Sequence, residues 1–335
     1  MGLCNLLSQW WEIGTNLGRR IFIKIVLIIM GQMNIACVIV TFNRCQLLCN
    51  CIDAVLNQQY KPSTLYIVNN ASSDDTEETL LQMGYINHSH SPITVANCKI
   101  EYLYLQENIG GAGGFYTGMK KAFDDGADAV WVMDDDGIPD DTCLFQLTKY
   151  LGEYDYIAPM VVDINDPSKL SFEYCGEKSQ FEQRAINGLV YNIACPFNGI
   201  LYSRHLIETI GFPQKEMFIW GDEENYHIRA VRVGFFPVTV IDAIHRHPSN
   251  RVMTAQSLLG KIDIAPQMWR CYCRYRNAVY NHREEMSLWG KSYVFFNHVW
   301  YYLIKKHSIK WTNMYIHAFF DGLHGDFTKL RKYLK

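Results

Sequence analysis

The chain has 335 residues, 49% apolar and 14% aromatic, enough for one large domain or one domain with a C-terminal extension. A net charge of −3 excludes a nucleic-acid binder whose whole surface is basic. The charge is unevenly placed: from Leu288 onward eight Lys and Arg stand against two Asp, so that stretch carries +6 and the remainder −9.

Residues 1–32 read as an extension outside the catalytic fold. Ile21 to Met30 is apolar apart from Lys24, yet these ten residues fall short of the about 20 that a spanning helix needs. A short interfacial helix, or a leader from an upstream start codon, would both read this way, since Met33 stands directly before the first convincing strand. The eleven cysteines include two C-x-C pairs, Cys49/Cys51 and Cys271/Cys273, and no C-x-x-C pair. With no cleavable signal segment evident, reduced and mostly buried thiols in a cytoplasmic protein are expected.

Asn34 to Phe42 is a continuous apolar, β-branched run, the pattern of a buried parallel strand. Arg44 to Asn57 carries apolar residues at helical spacing, Tyr60-Lys61-Pro62 turns the chain, and Thr64 to Val68 is a second strand. Thr76 to Met83 reads as a helix with acids in its first turn. Ile100 to Leu105 is a third strand, a glycine-rich loop leads to a helix near Phe115 to Phe123, and Ala129 to Met133 is a fourth strand. This β-α alternation predicts a mostly parallel sheet flanked by helices, with functional residues at the carboxyl ends of the strands. The polar segments TFNR, NNASSDD, ENIGGAGG and DDDG all fall at those ends.

Beyond Tyr156 the alternation stops. Pro196 to Tyr202 reads as a strand entering a helix at Arg204, Glu223 to Val233 as a helix, and Phe235 to Ile241 as a strand. From Pro266 the pattern is helical and aromatic. A soft boundary near residue 260 divides a catalytic unit, 33–260, from a helical C-terminal region, 261–335.

Asp134, Asp135 and Asp136 follow a buried strand directly. Three adjacent carboxylates repel one another unless a cation sits among them, and Mg²⁺ or Mn²⁺ takes carboxylate and phosphate oxygens together. An EF-hand does not fit, because Ile138 and Pro139 fall where it needs an oxygen ligand and a glycine. A solvated turn with helix-capping acids accounts for Asp140 and Asp141 better than for the triplet. Gly110, Gly111, Gly113 and Gly114 miss the dinucleotide fingerprint, which would want glycine at Tyr116. They would still let backbone approach a ligand. Asp222 reads either as a helix cap or as a general base, and Trp220 offers a flat face for a sugar ring. His245 and His247, at a strand end, are candidate metal ligands.

Together, VIVTFNR, NNASSDDT, NIGGAGGF, WVMDDDG, FNGILYSR and WGDEENYHIRA resemble the family 2 glycosyltransferases, over about residues 34–250. A YCRYRN segment near 272–277 extends the match. Within that family the pattern most resembles bacterial galactofuranosyltransferases and some rhamnosyltransferases, departing from the former in having Gly221 where an acid often precedes the base. The resemblance implies a GT-A fold, a nucleotide-sugar donor (a UDP-sugar favoured over a dTDP-sugar) and Mn²⁺ or Mg²⁺. It implies that Thr41 and Arg44 lie along the nucleotide diphosphate, Asn70 and Asp74 near uracil and ribose, and Asn108 with the four glycines around the donor. Asp134 and Asp135 would hold the nucleotide-sugar. Asp136 with His247 or His245 would bind the metal, Asp222 would be the base, and Asn198, Gly199 and Trp220 would meet the acceptor. The reaction implied is inverting transfer to a glycan in cell-surface polysaccharide synthesis. Two competing readings are nucleotidyl transfer, which wants a glycine-rich loop where TFNR stands, and a catalytically inert carbohydrate-binding scaffold. The basic, aromatic tail fits a peripheral site on the cytoplasmic face of a membrane and a lipid-linked acceptor.

Overall fold

Ile35–Thr41 is uncharged, rich in β-branched side chains and buried at every position, and it forms β1 in the middle of the sheet. The computed structural model describes residues 33–172, 176–249 and 253–334. The expected extension over residues 1–32 lies outside the described residues. After β1 come α1 (Cys45–Leu56), β2 (Thr64–Asn69), α2 (Thr76–Gln82), a hairpin of β3 (Ile93–Val95) with β4 (Cys98–Tyr104), α3 (Gly110–Asp124) and β5 (Ala129–Asp134). β4, β2, β1 and β5 are parallel neighbours, and Val40 of β1 lies level with Val68 of β2 and Asp134 of β5. Alternate β1 side chains feed two cores. Ile35, Cys37 and Ile39 pack with α1 on one face, and Ala36, Val38 and Val40 pack with α3 on the other.

The second half adds β6 (Ile138–Pro139), α4 (Cys143–Thr148), β7 (Tyr156–Asp163), α5 (Lys178–Gln183), β8 (Leu189–Tyr191), β9 (Asn198–Ser203), α6 (Arg204–Ile210), α7 (Asp222–Arg232) and β10 (Val238–His247). The sheet order is β3-β4-β2-β1-β5-β9-β7-β10-β6, with β8 also on β10. β9 is antiparallel to β5 and to β7, and β10 is parallel to β7. Two reversals restore direction, so β10 ends at the same sheet edge as β5, and β9 begins there. The chain then forms a hairpin of β11 (Met253–Ser257) with β12 (Gly260–Ile264), followed by α8 (Met268–His282), α9 (Leu288–Trp300), a π-helical turn over Tyr301–Lys305, and α10 (Ile309–His324). α8, α9 and α10 share a third core with Phe218, Ile219 and Trp220. No helix among the described residues is long and apolar enough to cross a membrane. Among the described cysteines all but Cys45 are buried.

Some elements differ from expectation. The helix expected near Phe115 begins at Gly110, so its glycines lie in the first turns of α3 rather than in a loop. Packing explains this: a Cβ on Gly114 would sit 2.4 Å from Val40 Cγ1, and one on Gly118 would sit 2.4 Å from Val38 Cγ1. Glycine costs helix propensity of about 1 kcal/mol per residue, offset here by close seating of α3 on β1. The strand expected to stop at Ile241 runs on to His247. The soft boundary near residue 260 falls at the start of β12.

Candidate active site

The shared edge collects Thr41 at the end of β1, Asn69 at the end of β2 with Asn70 after it, Asp134 at the end of β5, Asn198 at the start of β9 and His247 at the end of β10. Asp135 and Asp136 are buried, at 2% and 4% exposure. Thr41 Oγ1 donates to Asp135 Oδ2 at 2.8 Å. Arg44 Nη1 donates to Asp135 Oδ1 and to Asp136 Oδ2, each at 3.0 Å. His247 Nε2 stands 3.3 Å from Asp136 Oδ1. Asp134, Asp136 and His247 each offer one ligand atom, and these atoms lie within 4.8 Å of one another.

The donor set suits a divalent cation. His247 Nδ1 is 2.7 Å from the Pro248 carbonyl oxygen, which can only accept, so Nδ1 carries the proton. In the neutral ring Nε2 then turns a lone pair toward a carboxylate, which is unfavourable unless a cation or a second proton stands between them. A carbonyl fixing the far nitrogen is the usual outer partner of a metal-binding histidine. Two carboxylate oxygens and an imidazole nitrogen match Mn²⁺ or Mg²⁺ with phosphate.

The charges point the same way. Burial, then Asp136 and Asp135, push the Asp134 carboxyl up to about 7. Burial raises Asp135 to about 6 against the pull of Arg44 and Thr41. Burial would lower the Arg44 guanidinium, but Asp135 and Asp136 more than reverse that. A single Arg is not enough positive charge for three adjacent acids, two of them buried.

The two histidines separate. His245 is fully buried beneath the acidic turn, in space that Gly137 and Gly199 leave: a Cβ on either would lie within 2.8 Å of its ring. Burial, with His247 adding to it, lowers His245 to about 3, so it is a neutral wedge. It stands outside the Asp134–Asp136–His247 group, whereas Asp134, expected on the sugar side, stands inside it.

The other expected donor residues are partly engaged within the protein. Asn70 is buried; its side chain donates to Gly110 O and accepts from Ile109 N, tying β2 to the start of α3. Asn108 Oδ1 accepts from Gly110 N. Gly110 has φ +78° and abuts the Phe218 carbonyl, to which Ala112 N donates at 3.1 Å. Gly113 packs on Ile109, and among the four glycines only Gly111 faces open space. Asp74 Oδ1 accepts from Thr76, and Asn43 Oδ1 accepts from Ser73 N and Asp74 N, closing a rigid turn beside Arg44.

Asp222 is 4% exposed and opens α7, while Gly221 takes the cap position, so Asp222 is not the helix cap. Burial first, then Glu223, raise its carboxyl well above the usual range, and Asp134 is near enough to add to the effect. The approach to Asp222 is strained: Phe218, Trp220 and Gly221 all have positive φ, at 70°, 59° and 92°. Such backbone persists only when its surroundings hold it. α8 does so. Asn277 Nδ2 donates to Met217 O at 3.0 Å, Ile219 O at 3.1 Å and Trp220 O at 2.7 Å. Asn281 Nδ2 donates to Gly221 O at 2.8 Å, and Arg276 Nη2 to Met217 O at 2.8 Å. A Cβ on Gly221 would lie 3.0 Å from Asn277 Cβ, which explains glycine before the acid. Sequence reasoning noted YCRYRN but assigned Arg276, Asn277 and Asn281 no role. The signal available was a cluster of amides within an otherwise aromatic helix.

Beside this loop opens a cleft of ≈ 770 Å³ whose walls include Asn198, Trp220, Glu223, Arg274, Tyr275 and His298. Asn198 Nδ2 donates to Pro196 O, but its buried Oδ1 has no hydrogen-bond partner among the described residues. An unmet buried acceptor costs about 1–3 kcal/mol and favours a ligand hydroxyl. Gly199 is buried at φ +73°, and its carbonyl accepts from Trp131 Nε1.

The chain is similar to known proteins in sequence and in fold. The model of glycosyl transferase family 2 matches residues 36–211. Galactofuranosyltransferase GlfT1 of Mycobacterium tuberculosis is 33% identical over 257 residues, covering 72% of this chain and 80% of that protein. The GlfT1 of Mycolicibacterium smegmatis is 32% identical over 235 residues, covering 65% and 72%. Among solved structures, S. aureus TarS 1–349 in complex with UDP has a TM-score of 0.50 at 10% identity, over 90% of this chain and 92% of that one. The mannosyltransferase PcManGT of Pyrobaculum calidifontis, with GDP-Man and Mn2+, has a TM-score of 0.50 at 14% identity, over 90% and 78%. These structural likenesses establish the GT-A fold that the sequence pattern implied.

Proposed function

Since the chain belongs to glycosyl transferase family 2 and is a glycosyltransferase, we propose that it moves galactofuranose from UDP-galactofuranose onto a lipid-linked glycan, with inversion, in cell-surface polysaccharide synthesis. The observation that carries this is the convergence of Asp134, Asp136 and His247 at the sheet edge, with Asp222 buried and near enough to Asp134 to feel its charge. The galactofuranosyl choice draws on the names of the relatives.

Asp134, Asp136 and His247 would hold Mn²⁺ or Mg²⁺, which when bound supplies charge to the donor diphosphate. Arg44, 40% exposed at its side chain, would leave part of its fork for the same phosphates. Thr41 holds Asp135, and the Asn43–Asp74 turn with Asn70 behind it would face the nucleoside. Trp220 would stack on the acceptor sugar, and Asn198 Oδ1 would accept from one of its hydroxyls. Asp222 would take the proton of the attacking hydroxyl as that oxygen bonds to the anomeric carbon and the sugar–phosphate bond breaks. Its raised proton affinity makes it a better base than an ordinary carboxylate near 3.9. The catalytic unit would be residues 33–260 and the helical region 261–335 its support, working at the cytoplasmic face of a membrane.

A donor panel tests this. With Mn²⁺ present, UDP-galactofuranose is expected to give UDP, and EDTA to stop it. Turnover of dTDP-rhamnose in its place would overturn the galactofuranose assignment, and pyrophosphate release would overturn sugar transfer.

A further inference from the structure

α9 presents two unlike faces. Val294 and His298 point inward and line the cleft beside Trp220. On the opposite side Trp289, Tyr293, Phe296 and Leu303 recur at the spacing of one helical stripe. Trp289 is 87% exposed, Phe296 64% and Ile304 50%. The tip of the β11–β12 hairpin extends this face: Leu258 and Leu259 are exposed, Tyr293 Oη donates to Leu259 O, and Asn297 Oδ1 accepts from Leu259 N. Solvated surfaces seldom gather so many large apolar side chains in one place.

Charge identifies the occupant. Residues 286–320 contain Lys291, Lys305, Lys306 and Lys310 and no Asp or Glu. Lys305, Lys306 and Lys310 are exposed at the end of the stripe. An apolar stripe with Trp and Phe, edged by Lys and free of acids, has the composition of a helix that lies in the headgroup layer of an anionic bilayer. A second copy of this chain would bring like charge against like at the same face.

We propose that α9 and the β11–β12 tip seat the enzyme on an anionic lipid surface, so that a lipid-linked acceptor delivers its sugar into the cleft on the other side of the same helix; this rests on the transfer reading above. One helix thereby sets both the depth of docking and one wall of the cleft.

Sedimentation with vesicles, with no nucleotide-sugar present, tests the docking face. The full chain is expected to bind phosphatidylglycerol/phosphatidylcholine vesicles at least ten-fold more tightly than pure phosphatidylcholine. The double variant Trp289→Ser/Phe296→Ser should lose at least ten-fold of that affinity. Lys305→Gln/Lys310→Gln should lose several-fold and much of the salt sensitivity. Both variants should keep the melting temperature and the metal-dependent hydrolysis of UDP-galactofuranose. Undiminished vesicle binding in the Trp289/Phe296 variant would overturn the proposal. So would a dimeric parent that does not bind vesicles and becomes monomeric on that substitution. Vesicle binding without turnover of any nucleotide-sugar would support the docking face while counting against the transfer reading.

Discussion

The acidic triplet and Asp222 are the two carboxylate centres of the site, and they are built by different means. Asp134–Asp136 ride on the end of β5 and the turn after it, held by Thr41 and Arg44, which the parallel register of β1 brings alongside, and by His247 at the end of β10. Asp222 depends on a strained loop whose carbonyls are held by Asn277 and Asn281, nearly sixty residues downstream on α8. The first centre is a property of the sheet edge, while the second exists only once the C-terminal helices have docked. Damage to the helical region should therefore reach the proton transfer proposed for Asp222 and leave the cation binding proposed for the triplet alone.

The largest effect that would sharpen this contrast is at Asp222. Asp222→Asn should lower the rate of transfer by about 10²–10⁴-fold, the usual contribution of a general base. Mn²⁺ affinity and donor binding, measured calorimetrically, should stay within about two-fold. Near-full transfer in this variant would mean that the buried acid has only a structural part.

A smaller effect is expected at Asn277. Asn277→Ala leaves the Met217, Ile219 and Trp220 carbonyls short of a shared donor, and lost buried hydrogen bonds of this kind cost about 1–3 kcal/mol. We expect kcat to fall about 10–100-fold, in line with the cost of small misplacements of a catalytic group, with Mn²⁺ affinity unchanged. A merely structural role would lower the melting temperature without that split. Equal loss of metal affinity would show that the two centres are not independent.

The same division governs what was legible in the sequence. β1, α1, β2, α2 and β5 were read to within two residues, because each is a local run with its own periodicity, and the triplet followed from the strand that carries it. The helical start of α3 was read as a loop because four glycines disfavour a helix locally. The reason they are tolerated, contact with Val40 and Val38, is a property of the packed sheet. β9 runs against its neighbours, and nothing in NGILYS announces direction. His247 and His245 are two residues apart on one strand. The glycines at 137 and 199 leave the room in which His245 sinks beneath the acidic turn, whereas His247, at the end of the same strand, reaches the carboxylates. Asn277 and Asn281 act through backbone carbonyls, which have no residue code.

The smallest predicted effect concerns protons at the triplet alone. Asp134 lies up at about 7 and Asp135 at about 6, both above the value near 3.9 of an unfolded aspartate. The folded metal-free protein therefore holds protons that the unfolded chain has released. That contribution to stability is complete below about pH 4 and is lost as pH rises through 6 to 7. Over the same window a proton competes with the cation for the carboxylates, so metal affinity should rise with pH and level off near pH 8. We expect the melting temperature without metal to fall by a few degrees, roughly 2–6 °C, between pH 5 and pH 8. Saturating Mn²⁺ should raise it more at pH 8 than at pH 5. Asp222→Asn removes the other raised acid and should reduce the metal-free fall, yet leave the Mn²⁺-induced rise at pH 8 in place. Were that rise to vanish with Asp222, the base and the triplet would be one electrostatic unit rather than two.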